Sequence, residues 1–164
     1  MSSFEFKYCR LTAQSPGVQP DKIQGNKPEF TAAFIAQMVG QIRPRPVYHA
    51  AMAMYCDDQQ SMAELNLGMA NWAWMNIKKH HRKLSCSALE IARVAELAVL
   101  MYLYPWQEEQ RSEAHCASWV QVAPQTWKKK YRQQRDIIVF ELAQMKSDAD
   151  AQFREIMKEG EVAA

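Results

Sequence analysis

The sequence predicts an all-α chain: a helical bundle with a helix-turn-helix near the C-terminal third and a short N-terminal strand or arm. Three observations carry that reading. Apolar residues recur at three- and four-residue spacing from Phe30 to Ile156. Ser61 with Glu64 and Ser87 with Glu90 have the form of capping boxes, in which a serine and a glutamate three residues on satisfy each other's backbone N–H groups. Strand-like alternation is confined to the first 11 residues. A chain of 164 residues is expected to form one domain that buries a core without metal or disulfide staples. Its expected parts are an N-terminal arm over 1–27, a helical body over 28–104, a helix-turn-helix over 105–135 and a C-terminal helix over 136–164.

In order along the chain, Phe4, Phe6 and Tyr8 alternate with polar residues, and Pro16, Gly17, Pro20 and Gly25 follow as a turn region. Pro28 starts a helix through Phe30, Phe34, Met38 and Ile42, interrupted at Pro44 and Pro46. A second helix is expected over 47–56. A third opens at the Ser61 box and runs through Leu65, Met69, Trp72 and Trp74 to about Ile77. The fourth opens at the Ser87 box and ends before Pro105. It is apolar nearly all round, with a polar stripe of Glu90, Arg93 and Glu96, so it should be the buried centre. Past Trp127 the pattern Ile138, Leu142, Met145, Ala149, Phe153, Ile156 continues the last helix toward Glu159, with a break favoured over 147–150 because an unbroken rod is longer than a domain of this size normally buries.

The segment 117–131 has helix-turn-helix spacing. Ala117, Val120, Val122 and Trp127 fall where that motif needs one small residue for close approach and three apolar residues to lock two short helices. Pro124 suits a first helical position, where its missing N–H costs nothing. The helix then presents Gln125, Thr126, Lys128 and Lys129 at its start, residue types that pair with adenine, guanine, base edges or phosphates, with Arg132 and Arg135 on phosphates farther along. No acid occurs from 114 through 135. The alternative is a helix pair with a solvated lysine face. Two departures from the motif favour it: Gln121 replaces the usual turn glycine, and Lys130 stands where an apolar residue is common.

Lys78, Lys79, Arg82 and Lys83, with His80 and His81 between them, form a second basic cluster in an acid-free window over 65–89. It would attract a phosphate backbone, or serve as a solvated helix end whose cations complement the dipole. The net charge of +2 is too mild to imply nucleic acid by itself. Cys9, Cys56, Cys86 and Cys116 lie far apart with no CxxC pair, so reduced thiols are expected, and no zinc site. Adjacent histidines point about 100° apart on a helix and do not readily share a metal. Asp57, Asp58 and Glu64 lack a nuclease frame, and five glycines supply no phosphate loop or dinucleotide motif. No catalytic residue, no cofactor and no metal is therefore expected. Trp72, Trp74, Trp106 and Trp119 read as core rather than stacking surfaces. No apolar run approaches the roughly 20 residues of a membrane span, and no apolar leader opens the chain, which predicts a cytoplasmic protein without membrane partners.

From Val122 to Met157 the sequence resembles the C-terminal part of the Q antitermination proteins of lambdoid bacteriophages, in the Pro124-x-Thr126-Trp127 start of a basic helix, the apolar middle and the Ser147-Asp148-Ala149-Asp150 tail. The rest, with S-P-G-V at 15–18 and K-P-E-F-T-A-A-F at 27–34, is similar in character to the shorter members. The resemblance implies a protein that binds a DNA element overlapping a late promoter, loads onto paused, sigma-containing bacterial RNA polymerase, and suppresses pausing and termination in the bacterial host cytoplasm. It implies DNA contacts from Gln125, Thr126, Lys128, Lys129, Arg132 and Arg135. The cluster of Lys78, Lys79, Arg82 and Lys83 matches no motif of the family and is a candidate contact for nascent RNA or polymerase. The paired-cysteine zinc spacing of the phage lambda member has no counterpart here, so no zinc is implied. The competing readings are a DNA-packaging adaptor of the small-terminase kind, a conventional transcription regulator, and a metal-dependent nucleic-acid enzyme around His80 and His81.

Overall fold

The computed structural model describes residues 37–80, 84–105 and 112–162. The arm or strand expected over 1–27, the expected helix start at Pro28, and Trp106 lie outside the described residues. The protein is all-α. Among the described residues, after a helical end at 37–39, its elements are α1 (Arg45–Cys56), α2 (Gln59–His80), α3 (Ala88–Leu103), α4 (Glu113–Val120) and α5. The last is a continuous helix over 124–162, made of an α turn (Pro124–Thr126), a π turn (Trp127–Tyr131) and a long α stretch (Arg132–Val162).

Local chemistry sets the boundaries. At the start of α2, Asp58 Oδ2 accepts the Ser61 N–H at 2.7 Å, so the cap is Asp58 rather than Ser61 and the helix begins two residues before the expected serine. Ser61 is buried instead, its hydroxyl 3.2 Å from His49 Nδ1. At α3 the capping box is complete: the Glu90 N–H donates to Ser87 Oγ at 3.2 Å, and the Ser87 N–H donates to Glu90 Oε2 at 2.7 Å. α3 ends at Leu103, before Pro105.

Contacts divide the described residues into two compact units, those within 1–62 and 145–164 and those within 63–144. In the first, Ile42, Val47, Ala51 and Ala149 are buried together, with Tyr48, Tyr55, Met145 and Ile156 packed on them. The Tyr55 hydroxyl donates to Asp150 Oδ1, and Lys146 Nζ pairs with Asp150 Oδ2 at 3.0 Å. Gln152 accepts the Arg43 N–H at 2.8 Å and donates to the Arg43 carbonyl. These contacts explain why α5 stays helical over 147–150, where the sequence favours a break. Ala149 is buried and Asp150 is engaged by side chains, so neither residue is left to cap a new helix or open a turn.

In the second unit, α3 is the buried centre, with Ile91, Val94, Ala95, Leu97, Ala98 and Val99 inaccessible. Cys116, Ala117 and Val120 of α4 and Trp127, Tyr131, Gln134, Ile138 and Leu142 of α5 are buried in the same unit. Trp72, Trp74 and Trp119 are half-buried. Among the described residues, no helix is long and apolar enough to cross a membrane.

Candidate nucleic-acid interface

The site begins at α4. Ser112 caps it, its hydroxyl accepting the His115 N–H at 3.1 Å. After Val120 the chain turns through Gln121, which is left-handed at φ 62°, and the Val122 N–H closes back on the Ala117 carbonyl at 2.9 Å. The turn thus has the geometry a glycine usually provides, achieved by glutamine at a cost of about 1–2 kcal/mol. Ala123 is extended, Pro124 occupies the first turn of α5, and the Trp127 N–H donates to the Ala123 carbonyl at 3.0 Å. Ala117, Val120 and Trp127 are buried as their spacing predicts, and Val122 is half-buried.

Burying Trp127, Tyr131, Gln134 and Ile138 on one side of α5 leaves the other side open, and Gln125, Lys128, Lys129 and Arg132 are exposed there, while Thr126 is half-buried. The helix is fixed against α3 through its π turn. In that turn the Arg132 N–H reaches back five residues to the Trp127 carbonyl. Lys130 Nζ donates to the Ser85 carbonyl at 3.0 Å, a role that accounts for a lysine where the motif commonly has an apolar residue. The Tyr131 hydroxyl bonds the Glu90 carboxylate. Glu90 is held below the usual carboxylate range, first by the Ser87 N–H and then by that hydroxyl, and burial with the Glu90 bond pushes the Tyr131 phenol up. The α3 cap and the basic helix are therefore one hydrogen-bonded assembly.

The cations are not equivalent. Lys128 Nζ and Arg132 Nη1 both pair with Glu113, at 2.9 and 2.7 Å, from opposite oxygens of one carboxylate. The hydrogen bond from Lys128 is the main reason the Glu113 carboxyl lies below its usual range. Lys129 is exposed and makes no ion pair among the described residues. Arg135 is different again: its side chain is 17% exposed, it donates to Asp136 Oδ1 through Nε and Nη2, and its guanidinium lies 5.8 Å from the Trp127 ring centre. It packs against the start of α5 rather than projecting from it.

Of the second cluster, Lys78, Lys79 and His80 form the exposed last turn of α2, with Lys78 Nζ 4.6 Å above the Trp74 ring. His81, Arg82 and Lys83 lie outside the described residues. The Lys130 bond to Ser85 ties the basic helix to the connection that follows this cluster. Among the described residues no three His, Cys, Asp or Glu side chains come together as a metal-holding group. Glu113 escaped the sequence reading, because the acid-free window starts one residue after it and no spacing rule links residues across a turn.

Comparisons with protein-family models, with curated proteins and with solved structures find no match for this chain.

Proposed function

We propose that the protein is a bacteriophage transcription antitermination factor that binds duplex DNA through the start of α5, loads onto paused, sigma-containing RNA polymerase, and suppresses pausing and termination. One observation carries the DNA-binding part. A short helix, a tight left-handed turn and a second helix are locked by Ala117, Val120 and Trp127, leaving Gln125, Lys128, Lys129 and Arg132 on a single open face. A helix so held enters a major groove with its first residues toward base edges. Gln125 and Lys128 are assigned to bases, with Thr126 beside them, and Lys129 and Arg132 to phosphates. Arg135, tied to Asp136 and Trp127, is assigned to positioning the helix. The Lys78 and Lys79 end of α2 supplies a further field for phosphate, on DNA or nascent RNA.

The antitermination part rests on the likeness of residues 122–157 to the Q proteins, and it distinguishes this reading from a conventional regulator by where transcription is affected. The test is single-round transcription with bacterial RNA polymerase and sigma, on templates with and without the selected binding element. The expected result is unchanged initiation and a larger fraction of transcripts passing a distant terminator, on the cognate template alone, with Lys128→Ala inactive. Read-through at the no-protein level while DNA binding is intact would sink the antitermination reading in favour of a packaging adaptor or ordinary regulator.

A further inference from the structure

The geometry points to Glu113 as a specificity-determining residue: its carboxylate, shared between Lys128 and Arg132, suppresses binding to arbitrary phosphate backbone while leaving base readout open. This rests on the duplex-DNA reading above. Glu113 is the sole acid between 112 and 135, and it occupies the first turn of α4, where the helix dipole favours a negative charge. Its two oxygens hold Lys128 Nζ at 2.9 Å and Arg132 Nη1 at 2.7 Å. The cations remain largely open, at 60% and 56% exposure, with the carboxylate at 33%. All three groups thus remain accessible to a ligand beside exposed Gln125 and Lys129.

The consequence differs for the two kinds of contact. Sequence-independent binding draws on net charge, because each phosphate neutralised releases counterions. Here a lysine and an arginine with one shared carboxylate present one net positive charge in place of two. Base readout draws instead on hydrogen bonds to uncharged acceptors such as guanine N7 and O6. An ammonium carries three N–H donors, so the bond from Lys128 to Glu113 leaves donors free for a base. The carboxylate also fixes the rotamers of two long side chains in advance, which lowers the ordering cost of a specific contact. Glu113 therefore weakens the phosphate contribution more than the base contribution. The pairs are exposed and individually weak, so the carboxylate modulates access to these cations without closing it.

The test titrates the full chain with two labelled duplexes, one of random sequence and one selected by the protein from a random pool, at roughly 50 and 200 mM salt. Glu113→Gln keeps the shape and removes the charge. It should bind the random duplex about tenfold more tightly at the lower salt, with a log–log salt slope steeper by about one. Its affinity for the selected duplex should rise less, so the ratio between the two falls. Glu113→Asp, which keeps the charge, should bind the random duplex as the native protein does. Thermal melting of both variants confirms that α4 is folded. The inference is overturned if the native protein binds DNA and Glu113→Gln binds the random duplex no more tightly, or if Glu113→Asp gains as much as Glu113→Gln. If neither the native protein nor Glu113→Gln binds any duplex at the lower salt, the DNA reading itself fails and takes this inference with it.

Discussion

Between Lys128 and Arg135 most cations already have partners: Lys128 and Arg132 share Glu113, Lys130 rests on the Ser85 carbonyl, and Arg135 is bound to Asp136. At the end of α2, Lys78 and Lys79 stand exposed, with the Trp74 ring beneath Lys78 and no acid in the sequence from 65 through 89. The basic charge of the two regions is similar in kind, but its mechanical setting is not. Side chains held in place over a buried Trp127 and Tyr131 can discriminate by geometry, whereas long, loosely held ammonium groups supply a field that any phosphate can use. On the proposed function, placement of charge, more than its amount, would separate a reading surface from an attracting one.

The comparison breaks most visibly at Trp127. Replacing this fully buried ring by alanine should destabilise the second unit by about 3–5 kcal/mol, measured by urea unfolding, and abolish sequence-selective DNA binding. Binding to random duplex through Lys78 and Lys79 should survive in part below the unfolding midpoint. Next in size, Gln125→Ala should weaken the selected duplex by about 1–3 kcal/mol with little change on random sequence, and Lys128→Ala should weaken the selected duplex by a similar amount plus the roughly tenfold loss on every sequence that one charge carries at low salt. Equal losses on both duplexes would erase the distinction between the regions. The double change of Lys78→Gln with Lys79→Gln should do the reverse. Affinity should fall on every sequence, and the salt slope should flatten by about two, since each phosphate contact contributes roughly 0.9.

Two smaller effects concern the scaffold. Glu90 is held below the usual carboxylate range in the folded chain, so its contribution to stability is complete above that range and is lost as pH falls through its depressed value. Glu90→Gln should cost about 1 kcal/mol at neutral pH, as lost caps do, and should make acid unfolding less steep. Unfolding curves at pH 7 and in the acid range check both. Gln121→Gly should stabilise by up to about 1 kcal/mol, because glycine adopts the left-handed turn without strain. DNA selectivity should not change.

Much of this was legible in the sequence because it depends on local chemistry. The Ser87 box, the Pro124 start, the apolar α3 and the buried Ala117, Val120 and Trp127 follow from spacing and capping alone. The features that were not legible depend on contacts distant in sequence. Asp58 caps α2 while Ser61 turns to His49, and α5 continues past 150 because Tyr55, far earlier in the chain, engages Asp150. In the candidate site, the exposed side of α5 was readable, whereas the pairing of Glu113 and the enclosure of Arg135 were not. Both depend on how α4 lies beside α5, which no periodicity within either helix encodes.

The π turn over Trp127–Tyr131 has a consequence for how this helix tolerates change in length. A π turn accommodates one residue more than an α turn, and here it spans three identical residues, Lys128, Lys129 and Lys130, so the surplus residue has no unique identity. Deleting any one of the three gives the same chain, and that chain can close into an uninterrupted α-helix. The Arg132 N–H, five residues from the Trp127 carbonyl, would then be four from it, so the segment before the repeat would keep its orientation relative to the buried stripe of Tyr131, Gln134 and Ile138. Gln125 would stay on the face it shares with Arg132 and Trp127 on the buried side, with two lysines in place of three between Trp127 and Tyr131. A single-codon loss inside the lysine repeat would thereby remove one charge and leave the start of α5 in register, whereas the same loss in the α stretch after Arg132 would turn everything before it by about 100°.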